Sequence, residues 1–346
     1  MEKPPPFISV IIPTYDRPTQ LFKCLCAFVG QDYPGDRFEV VVVDDGSFAQ
    51  VNDPIGSLRH QLDITLLKQP HSGPASARNY GAAHAKGTYL AFTDDDCIPA
   101  SDWLRRLSAS FTLFPEAVVG GRTINQLVDN PYSTASQLLV DYLYTRWNPA
   151  TMHATFFASN NLALPATCFH AVGGFDRGWN RAAGEDRDFC DRLIGHGYRL
   201  VYIPEALVHH AHILTFRSFC RQHFIYGWGA YRLHQLRAER AGEHTRFGSL
   251  AFYLKSIAYP FTQTRVCKAA VLAMLLGVAQ TANAIGWLAA GLSGLGKSSS
   301  QRGEAMERRQ VREEIKAHIH ESYQRQLLSR SPSNGCSDFR ENMKDP

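Results

Sequence analysis

Asp94, Asp95 and Asp96 stand directly after a short apolar run, 89–93, that reads as a buried strand. Carboxylates at the carboxyl end of a strand in an α/β sheet lie where such sheets bind ligands. Neighbouring ionised aspartates call for a cation. Hard oxygen ligands suit Mg²⁺ or Mn²⁺, ions that usually bring a substrate's phosphates with them. A solvated acidic turn is the plain alternative, and the strongly apolar run before it speaks against that. A second acidic pair, Glu185 and Asp186, opens a helical stretch over 186–195 that stops at Gly195-His196-Gly197. A carboxylate there can take a proton from an attacking hydroxyl, or can simply favour the first turn through the helix dipole. The upstream aspartates tip that choice toward catalysis. His209, His210 and His212 add imidazoles beyond a strand expected over 199–203 and ended by Pro204. A polar loop of hydrogen-bonded imidazoles is their alternative role.

The elements that must position these groups alternate. Strands are expected at 7–12, ended by Pro13, and at 38–43, 64–67 and 89–93, with helices at 18–29 and 74–85. This spacing predicts an α/β fold with a mostly parallel central sheet and helices on both faces. A helix is expected over 101–114 with Ser101 as its N-cap, and a strand over 117–124. The pattern weakens from 125 to 160. Each early strand ends on polar residues: Pro13-Thr14-Tyr15, Asp44-Asp45-Gly46-Ser47, the Gly73 to Asn79 stretch after the third, and the triple aspartate. Together they ring one sheet edge as a nucleotide cleft. No GxGxxG follows the first strand and no GxxxxGK[ST] occurs, so a Rossmann dinucleotide site and a P-loop are not expected.

The charge is divided. Residues 1–212 carry 17 basic against 22 acidic side chains, while 213–268 carry 9 against 2. The basic block touches an uncharged run, 269–295, long enough at about 1.5 Å per residue to cross a bilayer. A membrane surface therefore explains the block better than nucleic acid, for which no motif is present. It favours holding the preceding residues on the cytoplasmic face of the cell membrane. Gln280, Thr281 and Asn283 interrupt the run, so a spanning helix, a shallow hairpin and a buried helix all remain open. Residues 296–346 read as an amphipathic helical tail, with Val311, Ile315, Ile319, Tyr323 and Leu327 on one face and a disordered end. Eight scattered cysteines form no CxxC pair, which argues against zinc and for reduced thiols in a cytosolic setting. The first apolar run is too short for a signal peptide.

The motifs together resemble the family-two inverting glycosyltransferases of the A-type (GT-A) fold. They are Val10-Ile11-Ile12-Pro13-Thr14-Tyr15, Val43-Asp44-Asp45-Gly46-Ser47, Ala77-Arg78-Asn79, Phe92-Thr93-Asp94-Asp95-Asp96, Gly173-Gly174-Phe175-Asp176 and Gly184-Glu185-Asp186-Arg187-Asp188, in the family's order over about residues 7–212. The resemblance implies a catalytic domain on 1–212, followed by a basic gating segment on 213–268. It implies transfer of a sugar from a nucleotide-diphosphate sugar, a UDP-sugar first, to a hydroxyl acceptor, and the expected hold on a membrane points to a lipid-linked or cell-surface glycan as that acceptor. Pro13, Thr14 and Tyr15 would line the base and ribose pocket. Asp44, with Asp45 beside it, would meet the base, and Arg78 would approach the nucleotide. Asp94 and Asp95 would meet the ribose or sugar. Asp96, with Asp94 and His210, would hold Mg²⁺ or Mn²⁺, His212 being the second choice of imidazole. Asp186 would be the general base with Glu185 in support, and Asn160 and Asn161 would face the acceptor. Cys97 stands where many relatives carry another aspartate, which leaves the dominant metal carboxylate open. The QxxRW string of processive synthases is absent. Two other classes remain: a nucleotidyltransferase acting on sugar phosphates, and a non-catalytic nucleotide-sugar-binding membrane protein.

Overall fold

The computed structural model describes residues 4–49, 51, 55–179, 183–241 and 249–295. The expected tail helix and its disordered end lie outside the described residues. Among these, eight strands form one sheet in the order β3-β2-β1-β4-β7-β6-β8-β5. Strands β1 (Ile8–Thr14), β2 (Phe38–Asp44), β3 (Ile64–Lys68) and β4 (Tyr89–Phe92) pair in parallel. Every residue of β1 and β2 is buried, because helices cover both faces of the sheet. Strands β5 (Cys97–Pro99), β6 (Val118–Asn125), β7 (Leu162–Pro165) and β8 (Leu200–His210) add antiparallel and parallel pairs beyond β4.

The pleat divides the interior in two. Val10, Ile12, Val40 and Val42 face helices α1 (Pro18–Val29) and α3 (Trp103–Leu113) through Leu21, Phe28, Trp103 and Leu107. Ile11, Val41, Val43 and Phe92 face α2 (Pro74–His84), α5 (Ala166–Ala171) and α6 (Glu185–Gly195) through Ala77, Phe169 and Phe189. Alternation along one strand thus feeds two cores.

Four local expectations are corrected. Pro13 does not end β1, which runs on to Thr14. Ile11 accepts from Thr93 on the β4 side and Thr14 accepts from Asp45 on the β2 side, so Pro13 faces β4, which stops at Phe92. Its missing N–H therefore has no ladder partner to lose. Pro204 likewise does not end β8. The pairing with β6 jumps from Gly121↔Ile203 to Arg122↔Leu207, and the bulge absorbs the proline. His209 and His210 consequently sit on the strand, paired with Ile98 and Cys97. Asp102, not Ser101, is the N-cap of α3. The weak stretch after 125 contains α4 (Pro131–Trp147), capped by the Asn130 side chain on the N–H groups of Tyr132 and Ser133. Its apolar residues pack in several directions, which blurs any single stripe.

Residues up to Ala290 pack as one compact unit. The second unit, Gly291–Pro346, is described only for residues 291–295. Within the first, α7 (Phe216–Ala241) carries the aromatic and glycine segment 221–229, followed by α8 (Leu250–Ala258), α9 (Pro260–Gln263) and α10 (Val266–Leu295). Helix α10 buries Leu272, Leu275, Leu276 and Ala279 against Ala135, Leu139 and Leu143 of α4 and Phe219 of α7. Its other face exposes Val271, Met274, Ile285 and Leu288. The stretch Val266–Ser293 has a mean hydropathy of 1.6 and is long and apolar enough to cross a membrane, while 33% of its most apolar window is buried in the protein.

Helices α7 and α10 cross backbone to backbone. A Cβ at Gly227 would enter the backbone of Asn283, and one at Gly286 the carbonyl of Phe224. Gly227→Ala should therefore destabilise the fold by about 1–3 kcal/mol through overpacking, more than the roughly 1 kcal/mol of helix propensity it gains. Denaturant unfolding reads this directly; an unchanged midpoint would mean the two helices do not meet so closely.

Candidate active site

The polar strand ends and the start of α6 open into one cavity of about 1750 Å³. Pro13, Thr14, Tyr15, Asp45, Arg78, Asp94, Asp95, Asp96, Asn160, Glu185, Asp186 and His210 all line it. The aspartate tip and Asp186, distant in sequence, thus share a single space. Two expected positions do not line it. Asp44 is buried and its Oδ1 accepts the N–H of Ser47 at 2.9 Å, which closes the turn after β2. Asn161 is wholly buried: it accepts from Trp103 Nε1 at 2.9 Å and donates to the carbonyls of Ala206 and Arg122. Asn161 stitches β6, β8 and α3 together, while Asn160 reaches the cavity and accepts from Thr123 at 3.2 Å.

Arg78 is the centre of the charge arrangement. Its Nη2 donates to Asp94 at 2.7 Å and its Nη1 lies 3.4 Å from Glu185 Oε1. Burial opposes its charge, yet Asp94, Glu185 and Asp186 more than compensate, and the guanidinium is held above its ordinary pKa. Asn79, next along α2, takes both backbone groups of Phe175: its Nδ2 donates to the carbonyl at 2.7 Å and its Oδ1 accepts the N–H at 2.8 Å. Phe175 is core, and Gly173 and Gly174 before it both hold positive φ. The Ala77-Arg78-Asn79 string therefore ties the β4 tip to the segment leading into α6.

Asp96 faces away from Arg78. Its Oδ1 lies 3.2 Å from His210 Nε2, and Arg17 bridges Asp95 and Asp96 at 3.2 and 3.0 Å. Burial alone would raise Asp96, but the hydrogen bond and charge of His210 and the charge of Arg17 outweigh it, and its carboxyl sits well below the usual range. His210 is raised in turn, its pairing with Asp96 overcoming its burial. Burial pushes Asp95 up to about 6, despite Arg17 and the 2.8 Å hydrogen bond from Thr14. Ligand atoms of Asp96, Cys97 and His210 lie within 4.8 Å of one another and could hold a metal ion. Asp94 is committed to Arg78 instead. Burial keeps the Cys97 thiol protonated, and a soft sulfur is the poorest of the three partners for a hard ion.

On the far wall, Gly184 adopts φ 112°, a conformation suited to glycine, and starts α6 with Glu185 and Asp186 in the first turn. Glu185 is buried and accepts the N–H of Ala183 at 2.8 Å. Burial raises both carboxyls of this coupled pair, and the charge of Asp186 adds to the effect on Glu185. Glu185 is tethered, so Asp186 is the carboxylate left to meet a ligand.

Three participants escaped sequence reasoning. Arg17 carried no motif. His71 pairs with Asp45 at 2.9 Å and its ring lies 4.3 Å from that of Tyr15, forming a platform at the mouth of β1 and β2. Arg187 lines the cavity beside Asp186. Tyr226, Gly227 and Gly229 of α7 also line it, so the 221–229 segment is a cavity wall.

The model described as glycosyl transferase family 2 matches residues 9–175. A pre-mycofactocin glycosyltransferase of Mycobacterium tuberculosis (strain ATCC 25618 / H37Rv) is 34% identical over 230 residues, covering 64% of this chain and 46% of that protein. Validoxylamine A glucosyltransferase of Streptomyces hygroscopicus subsp. limoneus is 30% identical over 229 residues, covering 58% and 51%. The chain thus spans about half the length of these two relatives. The mannosyltransferase PcManGT from Pyrobaculum calidifontis, solved in complex with GDP-Man and Mn²⁺, shares the fold with a TM-score of 0.56 at 20% identity, over 84% of this chain and 88% of that one.

Replacing Arg78 by Met should leave Asp94 and Glu185 without their shared cation. The expected loss is about 2–4 kcal/mol, below the usual range for breaking a buried pair because the Asp94 side chain is 29% exposed. Protonation relieves stranded carboxylates, so the deficit should shrink as pH falls from neutral to mildly acidic. Urea unfolding at both pH values checks this, and a deficit that grows on acidification would contradict it.

Proposed function

Because the chain belongs to glycosyl transferase family 2, we propose that it moves a sugar from a nucleotide-diphosphate sugar to a hydroxyl acceptor, inverting the anomeric carbon. One observation carries this reading: the 94–96 carboxylate tip and Asp186 face the same cavity. The donor nucleotide would lie along the β1 and β2 ends, its base over Tyr15 and His71 and its ribose near Thr14 and Asp45. The mannosyltransferase of like fold holds GDP-Man and Mn²⁺, which supports a nucleotide-sugar donor with a divalent ion, a UDP-sugar being the first choice here. Asp96 and His210 would hold Mg²⁺ or Mn²⁺, and the ion would supply positive charge beside a departing diphosphate. Cys97 would stay neutral at its edge.

Asp186 would take the proton from the acceptor hydroxyl as its oxygen attacks the anomeric carbon from the side opposite the leaving phosphate. Glu185 and Arg78 would fix the turn that aims it. Asn160 would face the acceptor. The acceptor class that fits is a lipid-linked or cell-surface glycan, as in cell-envelope polysaccharide assembly. Exposed Leu250, Leu254, Phe261 and Met274 stand near exposed Lys255, Arg265 and Lys268 in the chain. That mixture suits an anionic membrane surface, with the site on the cytoplasmic face.

The test is incubation of the purified full chain with a panel of UDP- and GDP-sugars and Mn²⁺, measuring nucleoside diphosphate release. Release of pyrophosphate instead would mark a nucleotidyltransferase. Asp186→Asn should lower kcat by about 10²–10⁴-fold with donor KM little changed; full turnover would remove the base assignment. The reaction needs Asp186 ionised, and its pKa is raised by burial. Activity should therefore fall on acidification well before the about pH 4 at which an ordinary aspartate protonates. A pH profile of kcat/KM reads this limb. It should persist in Asp95→Asn, because Asp95 also titrates high.

A further inference from the structure

Arg187 is a half-buried cation that the donor chemistry does not use. Its guanidinium lies 4.5 Å from the ring centroid of Trp147 and 5.2 Å from that of Phe156. Among the described residues no carboxylate forms an ion pair with it and no side-chain or backbone oxygen accepts a hydrogen bond from it. Arg78, Arg17 and Arg237, which also line the cavity, are paired, with Asp94, with Asp95 and Asp96, and with Asp191, whereas Arg146 and Lys255 on the same wall are exposed to solvent. Desolvation lowers the pKa of Arg187, the sign of a charge whose lost hydration is not fully replaced. A planar guanidinium stacked on aromatic rings keeps its donor edge for a bidentate oxyanion.

The cavity continues past this point. Trp147, beneath Arg187, also packs on the apolar group of Leu139, Leu143 and Leu276, together with Phe252 and Ile257. Leu139, Leu143, Phe252 and Ile257 line the same cavity as Asp186. Its volume of about 1750 Å³ exceeds the roughly 300–1,000 Å³ of a pocket for one ligand, so a donor leaves room for a second molecule.

We propose that Arg187 receives a phosphate group of the acceptor, while the acceptor's hydroxyl meets Asp186 and an apolar chain lies along Leu139, Leu143 and Phe252. The acceptor is then an amphipathic phosphate ester, and Arg187 is a specificity-determining residue. This rests on Asp186 marking the acceptor side of the cavity.

Decyl phosphate, used below its micelle concentration, is a probe for this site. Calorimetry on the full chain with UDP and Mn²⁺ at saturation keeps the donor half filled. Decyl phosphate should bind, and Arg187→Met should weaken it by about tenfold or more, the worth of a charge-assisted hydrogen bond. Arg187→Lys should fall between, keeping charge without the planar fork. Neutral decyl glucoside and UDP itself should bind all three proteins alike, which a merely folding-related loss would not allow. Equal binding of decyl phosphate by Arg187→Met, its displacement by UDP, or no binding by the wild-type chain would overturn the proposal. Inorganic phosphate binding as tightly as decyl phosphate would overturn its apolar half. If no donor is turned over yet Arg187→Met still loses decyl phosphate, sugar transfer fails and the anion site stands.

Discussion

Gathering carboxylates at one sheet edge is the constraint to which the rest of this molecule answers. Asp45, Asp94, Asp95, Asp96, Glu185 and Asp186 all line one cavity. Like charges about 4 Å apart repel by roughly 4 kcal/mol at the effective dielectric of a protein surface, and each buried ion loses several kcal/mol of hydration. The fold meets this with distinct counter-charges. Arg78 takes Asp94 and Glu185, Arg17 takes Asp95 and Asp96, and His210 takes the other oxygen of Asp96. Asp45 is held by the backbone of Ser72 and Gly73 and by His71.

That arrangement sorts chemically similar residues into different tasks. Asp94 and Asp96 are two residues apart, yet one is bound to a buried arginine and the other to an imidazole. Glu185 and Asp186 are adjacent, yet the first is tied to Arg78 and to the N–H of Ala183 and the second is open to the cavity. Hydrogen bonding decides which carboxylate is structural and which can meet a substrate. The same rule separates Asn160, on the cavity, from Asn161, whose amide is spent on Trp103, Ala206 and Arg122.

The helices after β8 complete the enclosure. Helix α7 meets the Ala183–Gly184 turn through Gly229, where a Cβ would strike the Ala183 carbonyl. Helix α10 backs α7 and α4. A helix with no charge beyond Lys268 in its first turn therefore has two apolar faces, one packed on the protein and one exposed, so its composition alone does not distinguish a wall of the site from a membrane element.

Much of the fold was legible in the chain. Continuous Val/Ile runs predict doubly covered parallel strands, and helix α1 was bounded at Pro18 and Val29 because proline starts it and Gly30 follows it. Pro13 and Pro204 misled because a proline breaks a strand only where its N–H is needed, and neighbours in space decide that. Helix α4 was hidden because its burial comes from several directions at once.

By itself the sequence determined the alternating strands and helices up to residue 92, the order of the polar strand ends and the identity of most chemistry-bearing residues, since these follow from local propensity and side-chain type. Only the tertiary structure decided that residues 96 and 186 share one space, that Arg78 joins their neighbours Asp94 and Glu185, and that Asp44 and Asn161 are turned inward. Those outcomes depend on contacts between residues up to about a hundred positions apart, such as the 107-residue separation of Arg78 and Glu185, and packing, not local propensity, brings such residues together.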